Sequence, residues 1–552
     1  MVVKIQKLVV VYLVLMGLFQ SSLLAKNFDN VANAIITKAV KTQPKNSYLR
    51  KMYQVSGNRP IWITQFGLTP IAKQLLRRVT RDPFVDRRTK MYKNAKRILE
   101  GDLTASPFGG KSSTSKHMKL EFKLSRLFRN YANYSIYGMI HWGHFKILFK
   151  RQAGLNDVYA DWEIYPKYSV YSLLRKVMVT GDLNEPFNAL TPQTRLYQNL
   201  NKKFNEYRQI ALKGSWPKIP PFSKITVGQN NNSIPYIRKR LSVSGDLGEC
   251  RVTDSILYDQ CLFNAVKRFQ KRNGLVVDGV LGSATAQMVS QSVGQMLTRI
   301  KLNLDRIKMM RRNDNGKHIM VNIPAFKLYF YDNDKLINSM RVVTGSKGHP
   351  TPIFSDEVET VVLNPYWNVP TSIIQKEMIP KLLRNKNAMK RQGIEVRDGW
   401  GPDAKKISPN GIDWKKYRYS KGVPYRFAQV PGNRNALGRI KFLFPNKFSV
   451  YMHDTPQKHL FKRHTRAFSH GCIRLQNPRG LLKTFSSFNS RLDYTKAKKI
   501  VKTKKQTYIN LNQKVPVDVV YLTAWVDPSG TLQLRNDIYG YDKMQLEYKR
   551  RY

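Results

Sequence analysis

The hydrophobic period of this chain changes near His318, and the change divides it into two kinds of structure. Before that point apolar residues recur at helical spacing. Thr69 followed by Pro70 reads as a helix start, a capping hydroxyl with proline at the first helical position, and Ile71, Leu75, Leu76 and Val79 then share one face. Leu120, Leu124, Leu127 and Tyr131 repeat the spacing. After it come short runs rich in β-branched and aromatic residues: Ile319–Ile323, Lys327–Tyr331, Leu336–Thr344, Val358–Leu363, Val450–Met452 and Val517–Val526. Turn signals such as Asp332-Asn333-Asp334 separate them. A chain of 552 residues is too long for one core. The expected fold is therefore multidomain α+β. A helical N-terminal scaffold occupies residues 27–225, a small helical domain 230–295, a basic linker helix 296–316 and a mostly-β domain 317–545. Pro217, Pro220, Pro221 and the polar run Gln229–Ser233 mark the boundary near 225. Inside the β domain, residues 372–425 are polar, basic and Gly/Pro-punctuated. That is too long for a passive loop and is expected to form a lid or subdomain over a site.

Lysine and arginine number 95 against 36 acidic residues, a formal net charge of +59. Such a chain is drawn to polyanions, but the basic residues are spread through every segment and form no single stripe, which argues against nucleic acid as the partner. Residues 1–25 read as a secretory signal. Lys4 and Lys7 precede the apolar run Leu8–Phe19, and Ser21–Ala25 supplies small residues for cleavage, although Leu23 weakens that site and leaves an uncleaved anchor as the alternative. Either way the bulk of the chain is exported. Export changes how the three cysteines are read. Cys250 and Cys261 are expected to pair as a disulfide, with two separate buried thiols as the alternative. Cys472 is left over as a free thiol that needs a reason.

That reason lies in its neighbourhood. Tyr451-Met452-His453-Asp454 precedes Ser469-His470-Gly471-Cys472-Ile473-Arg474. A nucleophilic cysteine needs a base or cation beside its sulfur and donors for the oxyanion formed on attack. His453 and His470 are candidate bases, and Gly471 permits a tight turn that exposes the sulfur. Taken alone, the tripeptide His-Gly-Cys is more often a structural turn than a catalytic one. A zinc site using His453, His459, His464, His470 and Cys472 is the other alternative, disfavoured because paired cysteine spacing is missing.

Two resemblances extend this reading. Ala265-Val-Lys-Arg-Phe-Gln270, the turn Asn273-Gly-Leu275…Val277-Asp278-Gly279 and the helix start Gly282-Ser-Ala-Thr285 resemble a peptidoglycan-binding domain, which implies a module that holds glycan or stem peptide, with a purely structural module that orients its neighbours as the equal alternative. A histidine followed about fifteen residues later by Ser-His-Gly-Cys resembles the active-site signature of the L,D-transpeptidases, the YkuD-like catalytic domain. Asn322–Phe326, Thr351–Phe354, Asn364–Pro370, Pro431–Gly438, Tyr521–Trp525 and Asp537–Tyr539 resemble the same family. With its helical scaffold the whole chain is similar to the large periplasmic YcbB-like subgroup. The resemblance implies Cys472 as nucleophile, His453 as base or imidazolium partner with its ring oriented by a backbone carbonyl, and His470, Gly471 and Cys472 framing an oxyanion hole. Ser469 and Arg474 would support substrate or turn, and Tyr451 and Trp367 would line the cleft. It also implies a periplasmic acyltransferase that needs no cofactor and acts on peptidoglycan stem peptides among other cell-wall enzymes. A membrane would be touched only through an uncleaved N-terminus.

Overall fold

The computed structural model describes residues 28–101, 111–154, 161–250, 255–311, 316–401 and 403–549. The expected signal or anchor, residues 1–25, lies outside them. Among the described residues no helix is long and apolar enough to cross a membrane.

The N-terminal region is helical, built on amphipathic helices with side-chain caps. Helix Pro70–Arg81 starts where Thr69 Oγ1 accepts the Ala72 N–H, and it buries Ala72, Leu75, Leu76 and Val79. Helix Lys111–Tyr137 packs against it and carries a buried carboxylate. Glu121 accepts the backbone N–H groups of Ile61 (2.8 Å), Trp62 (2.9 Å) and Ile63 (3.1 Å) and the Tyr53 hydroxyl (2.8 Å). Those amides are buried, so they need an acceptor. Burial nevertheless pushes Glu121 up to about 7.

The small domain packs helices Ile234–Val243, Gln260–Arg272 and Ser283–Val289 around Ile237, Leu241, Leu262, Val266 and Phe269. Gly274, at φ 63°, follows the end of the second helix. A disulfide joins Cys250 to Cys261, whose Cα atoms are 6.0 Å apart. The proline-rich stretch before this domain is not a free tether. Ile219 and Ile225 enter its core, and Ile225 bridges to Leu281.

The connecting helix, expected as a basic linker, is instead buried all round over its second half, while Gly294, Gln295 and Thr298 at its start are exposed. It runs Val293–Lys308 from a capping box between Ser292 and Gln295, and six consecutive residues, Leu302 to Ile307, are buried. Arg306 ion-pairs with Asp542 (2.7 Å) and bonds Gln545 (2.9 Å) in the C-terminal helix Tyr541–Glu547. On the opposite side Asp305 accepts the Met139 N–H (2.9 Å) of the helical region and lies 3.6 Å from Lys308. The helix is thus an axle between scaffold and β domain.

The β domain contains strands β1 (Lys317–Asn322), β2 (Lys327–Asp332), β3 (Lys335–Gly345), β4 (Phe354–Leu363), β5 (Ile440–Leu443), β6 (Met452–His453), β7 (Ala467–Ser469), β8 (Ile473–Leu475) and β9 (Thr507–Val520). They pair in the order β7-β3-β8-β6-β5-β4-β9-β1-β2, and β2 also pairs with β3. Eight strands therefore close into a barrel, with β7 added beside the far end of β3. Closure leaves those strands no open edge. The scaffold docks on this barrel through Trp162, which bridges to Ile353, and through Lys447, 2.7 Å from Glu163.

The insertion between β4 and β5 is a folded subdomain. Strands Trp367–Asn368, Arg426–Gln429, Ile394–Arg397 and Lys406–Ile407 form a sheet in that order, so its ordered structure reaches beyond 372–425 at both ends. It has its own core, in which Ile374, Ile379, Trp414 and Phe427 are buried.

Candidate active site

Strand register brings the chemistry together. β5 and β6 place Lys441 opposite His453, and the parallel pair β6 and β8 places His453 opposite Arg474. Phe442, Met452 and Ile473 point into the barrel and are fully buried. Successive side chains alternate across a strand. Lys441, Tyr451, His453, Cys472 and Arg474 therefore share the other face.

Cys472 is a free thiol with partial exposure, at the end of a turn that leads from β7 into β8. Gly471 has φ 114°, a conformation that favours glycine. Ser469 is buried; its hydroxyl donates to the Cys472 carbonyl (2.6 Å) and accepts the Gly471 N–H (3.2 Å). Thr351 donates to the Gly471 carbonyl (2.8 Å) and accepts the Gly345 N–H (2.8 Å), while Tyr539 donates to the Gly345 carbonyl (2.6 Å). Ser469 is thus a brace of the turn. It already holds the amide of Gly471, one of the three residues expected to frame the oxyanion hole.

The sulfur is hydrogen-bonded by Tyr451 and lies 3.8 Å from the Ser449 carbonyl. Burial pushes the Cys472 thiol up; the backbone of Tyr451, the Lys441 ammonium, the Tyr451 hydroxyl and Arg474 all pull it back. Lys441 Nζ sits 3.7 Å from the centre of the Tyr451 ring, a cation–π contact, and its own burial lowers its pKa. Nothing in the motif pointed to Lys441. Its only sequence signal is the alternation Ile440-Lys441-Phe442 in a short strand.

His453 is buried, and its Nδ1 lies 2.5 Å from the Asp454 carbonyl oxygen. A carbonyl can only accept, so Nδ1 carries the proton and Nε2 offers a lone pair. Burial first, then the charges of Arg474, Lys441 and Lys458, push its pKa down to about 3. The ring centre lies 5.6 Å from that of Tyr451. From Cys472 the histidine is one diagonal step across the β6/β8 ladder, roughly 7–8 Å between such positions. The Asp454 carboxylate turns elsewhere, to the Arg439 N–H (2.9 Å), the Thr455 N–H (2.7 Å) and Lys458 Nζ (2.7 Å). Arg474 bonds the neutral Gln457 (2.5 Å) rather than a carboxylate.

The remaining expected residues lie on the insertion side. His470 is exposed, with Nε2 3.1 Å from Glu377 of the insertion and its ring centre 4.5 Å from that of His349. The His470 hydrogen bond holds the Glu377 carboxyl below its usual range. Burial, then His470 and Lys376, lower His349. Trp367 belongs to the insertion's sheet and packs half-buried against its core. Among the described residues no group of three or more His, Cys, Asp or Glu is placed to hold a metal.

The closed barrel carries Ser-His-Gly-Cys on a braced turn, and the inserted subdomain contacts that turn. Residues 316–500, which include that turn, match the family model of the YkuD "L,D-transpeptidase catalytic domain". Residues 47–204 match a scaffold domain and residues 234–289 a "Putative peptidoglycan binding domain". A curated "Putative L,D-transpeptidase" of Haemophilus influenzae is 33% identical over 247 residues, 44% of this chain and 48% of the relative. The chain thus spans about half the length of that relative. An L,D-transpeptidase structure from Stackebrandtia nassauensis shares 16% identity, covering 55% of this chain and 97% of that one at a TM-score of 0.21. One from Mycobacterium smegmatis shares 13% over 37% and 58%, at 0.18. At those TM-scores the solved structures add nothing to the assignment.

Proposed function

We propose that this chain is a cell-envelope L,D-transpeptidase that forms 3→3 cross-links between peptidoglycan stem peptides through a thioester on Cys472. The observation that supports this most directly is one free, partly exposed thiol sharing a strand face with Tyr451, Lys441 and a histidine whose Nδ1 is tied to a backbone carbonyl.

With the thiol pushed up and the imidazole pushed down, the resting pair is neutral thiol and neutral imidazole near pH 7. The proton then moves during attack. The Cys472 sulfur bonds to the carbonyl carbon of the third stem residue while its proton passes to His453 Nε2. The tetrahedral oxyanion accepts from the Cys472 backbone N–H. As it collapses, the C–N bond to the terminal D-alanine breaks, and that amine takes the proton from His453. The side-chain amine of a diamino acid on a neighbouring stem next attacks the thioester, gives its proton to His453 and expels the sulfur, which recovers that proton. Lys441 and Tyr451 stabilise the sulfur whenever it is negative. The insertion, held to the turn by Glu377 and His470, excludes water that would hydrolyse the thioester.

The test is tetrapeptide muropeptide incubated with the purified chain and read by mass spectrometry, beside covalent mass addition by a carbapenem. Cross-linked dimer and a Cys472 adduct are expected, and Cys472→Ala forms neither. Equal dimer from Cys472→Ala ends the proposal. Tripeptide product alone would make water the acceptor, and incorporation of an added D-amino acid would make exchange the activity.

A further inference from the structure

The structure holds a sizeable cavity that is not at Cys472. A space of about 680 Å³ lies in the scaffold where helix Pro70–Arg81 and the loop after it meet the axle helix, and none of its lining residues belongs to the barrel strands. That is the size of a ligand pocket rather than of a packing defect. Its basic residues are Arg77, Arg78, Arg81 and Lys308, with Asp82 as the single carboxylate. Tyr131 and Phe187 stack at 5.2 Å in its wall.

The charges are arranged to receive something. Arg77 and Arg81 stand one helical turn apart, where like charges oppose helix formation. Both are exposed, and among the described residues neither has an acidic partner. Arg78 is held between neutral amides, Asn184 Oδ1 at 3.2 Å and Asn188 Oδ1 at 2.9 Å, and lies 5.4 Å from the centre of the Phe187 ring. Its Nε is buried and has no acceptor among the described residues. Asp82, half-exposed and fixed by the Tyr131 hydroxyl (3.0 Å) and the Phe84 N–H (2.8 Å), offers one negative position within this basic rim. Guanidinium forks suit carboxylates and phosphates. Here they are spread along a helix beside a fixed carboxylate and an aromatic wall. That pattern complements a zwitterion with several separated carboxylates and one ammonium, and it disfavours a compact phosphate dianion.

We propose that this cavity is a second, non-catalytic site that binds the stem peptide of peptidoglycan, with its carboxylates on Arg77, Arg78 and Arg81 and its free ammonium on Asp82. The assignment rests on the peptidoglycan reading above for its ligand class, and not on the chemistry of Cys472. A second grip in the scaffold would keep a wall strand on the protein between rounds of transfer.

The experiment uses the full chain as Cys472→Ala, so that nothing turns over, and a muropeptide tetrapeptide carrying a photo-crosslinker, with adducts mapped by mass spectrometry. Adducts are expected on peptides containing residues 77–84 and 184–191. They fall at least tenfold in Arg77→Gln/Arg81→Gln and fall likewise when the peptide carboxylates are amidated. Lys499→Gln/Lys502→Gln removes the same charge elsewhere and leaves them in place. Adducts confined to residues 234–289 or to the barrel overturn the proposal. So do adducts at 77–84 that inorganic phosphate abolishes at concentrations where acetate does not. Because the sulfur is absent, failure here is distinct from failure of the transfer chemistry, which the carbapenem adduct on the unaltered chain reports.

Discussion

Replacing Lys441 by methionine tests the electrostatics of the sulfur without touching the signature motif. The ammonium stands 3.7 Å from the centre of the Tyr451 ring, and the hydroxyl of that ring meets Cys472. The charge-to-sulfur separation is then on the order of 7 Å, and at an effective dielectric of about 20 a thiolate gains about 2.4 kcal/mol from it. Lys441 is only half-buried, and solvent screening brings this to about 1.4 kcal/mol, a tenfold change in the thiol–thiolate equilibrium. Lys441 pulls the thiol pKa down, so its removal raises that pKa and depletes the thiolate at neutral pH. The assay is alkylation of Cys472 by iodoacetamide across pH 6–10, read as adduct mass against time, with Cys250 and Cys261 protected in their disulfide. Lys441→Met should alkylate about tenfold more slowly at pH 7 and converge on the parent rate at high pH. In the parent the rate should climb throughout the neutral range. A plateau below pH 7, or a variant as fast as the parent, would mean that a preformed thiolate is held by something other than Lys441, and the reasoning would be refuted.

His453→Gln should lower the rate of tripeptide or dimer formation by about 10²- to 10⁴-fold, the usual contribution of a general base. Because burial holds His453 at about 3, kcat for the unaltered chain should show no histidine inflection near pH 6.5; a clear one there counts against the neutral base. Glu121, raised to about 7 in the folded state against an ordinary value of 4.5, binds its proton more tightly folded than unfolded. Its contribution therefore grows as pH falls from about 7 to 4.5, by about 3 kcal/mol, and Glu121→Gln should flatten the pH dependence of the scaffold's melting over that window in calorimetry. The Cys250–Cys261 bridge closes a loop of separation 11, and Cys250→Ser/Cys261→Ser should cost the small domain about 3 kcal/mol in denaturant unfolding while leaving the carbapenem adduct at Cys472 intact.

Local signals in the sequence carried far, and they stopped where pairing is long-range. The Thr69 cap, the Leu75/Leu76/Val79 face and the strand runs at 327–331 and 336–344 are written in neighbouring residues, and the structure has each of them. Closure of the barrel depends on β9 lying parallel to β1, nearly two hundred residues away, and no short-range pattern encodes that. The axle helix misled for a related reason. Leu302 and Leu304 cannot share one helical face, yet both are buried because scaffold and barrel enclose the helix together. In the site, Cys472 and His453 were visible through their motif and Thr351 and Tyr539 only as members of resembling stretches, whereas Lys441 enters through strand register alone. The two-residue strand Met452–His453 shows how little sequence can set such a register.

The insertion's private core has a consequence for how specificity can change. A segment that folds around its own Trp414 and Phe427 and meets the catalytic turn through Glu377 and His470 can swing, lengthen or be traded for another without disturbing a single barrel strand. On the proposed mechanism, donor chemistry and acceptor choice would be inherited on separate pieces of polypeptide, so that evolution could retune which amine reaches the thioester while Cys472 stays untouched.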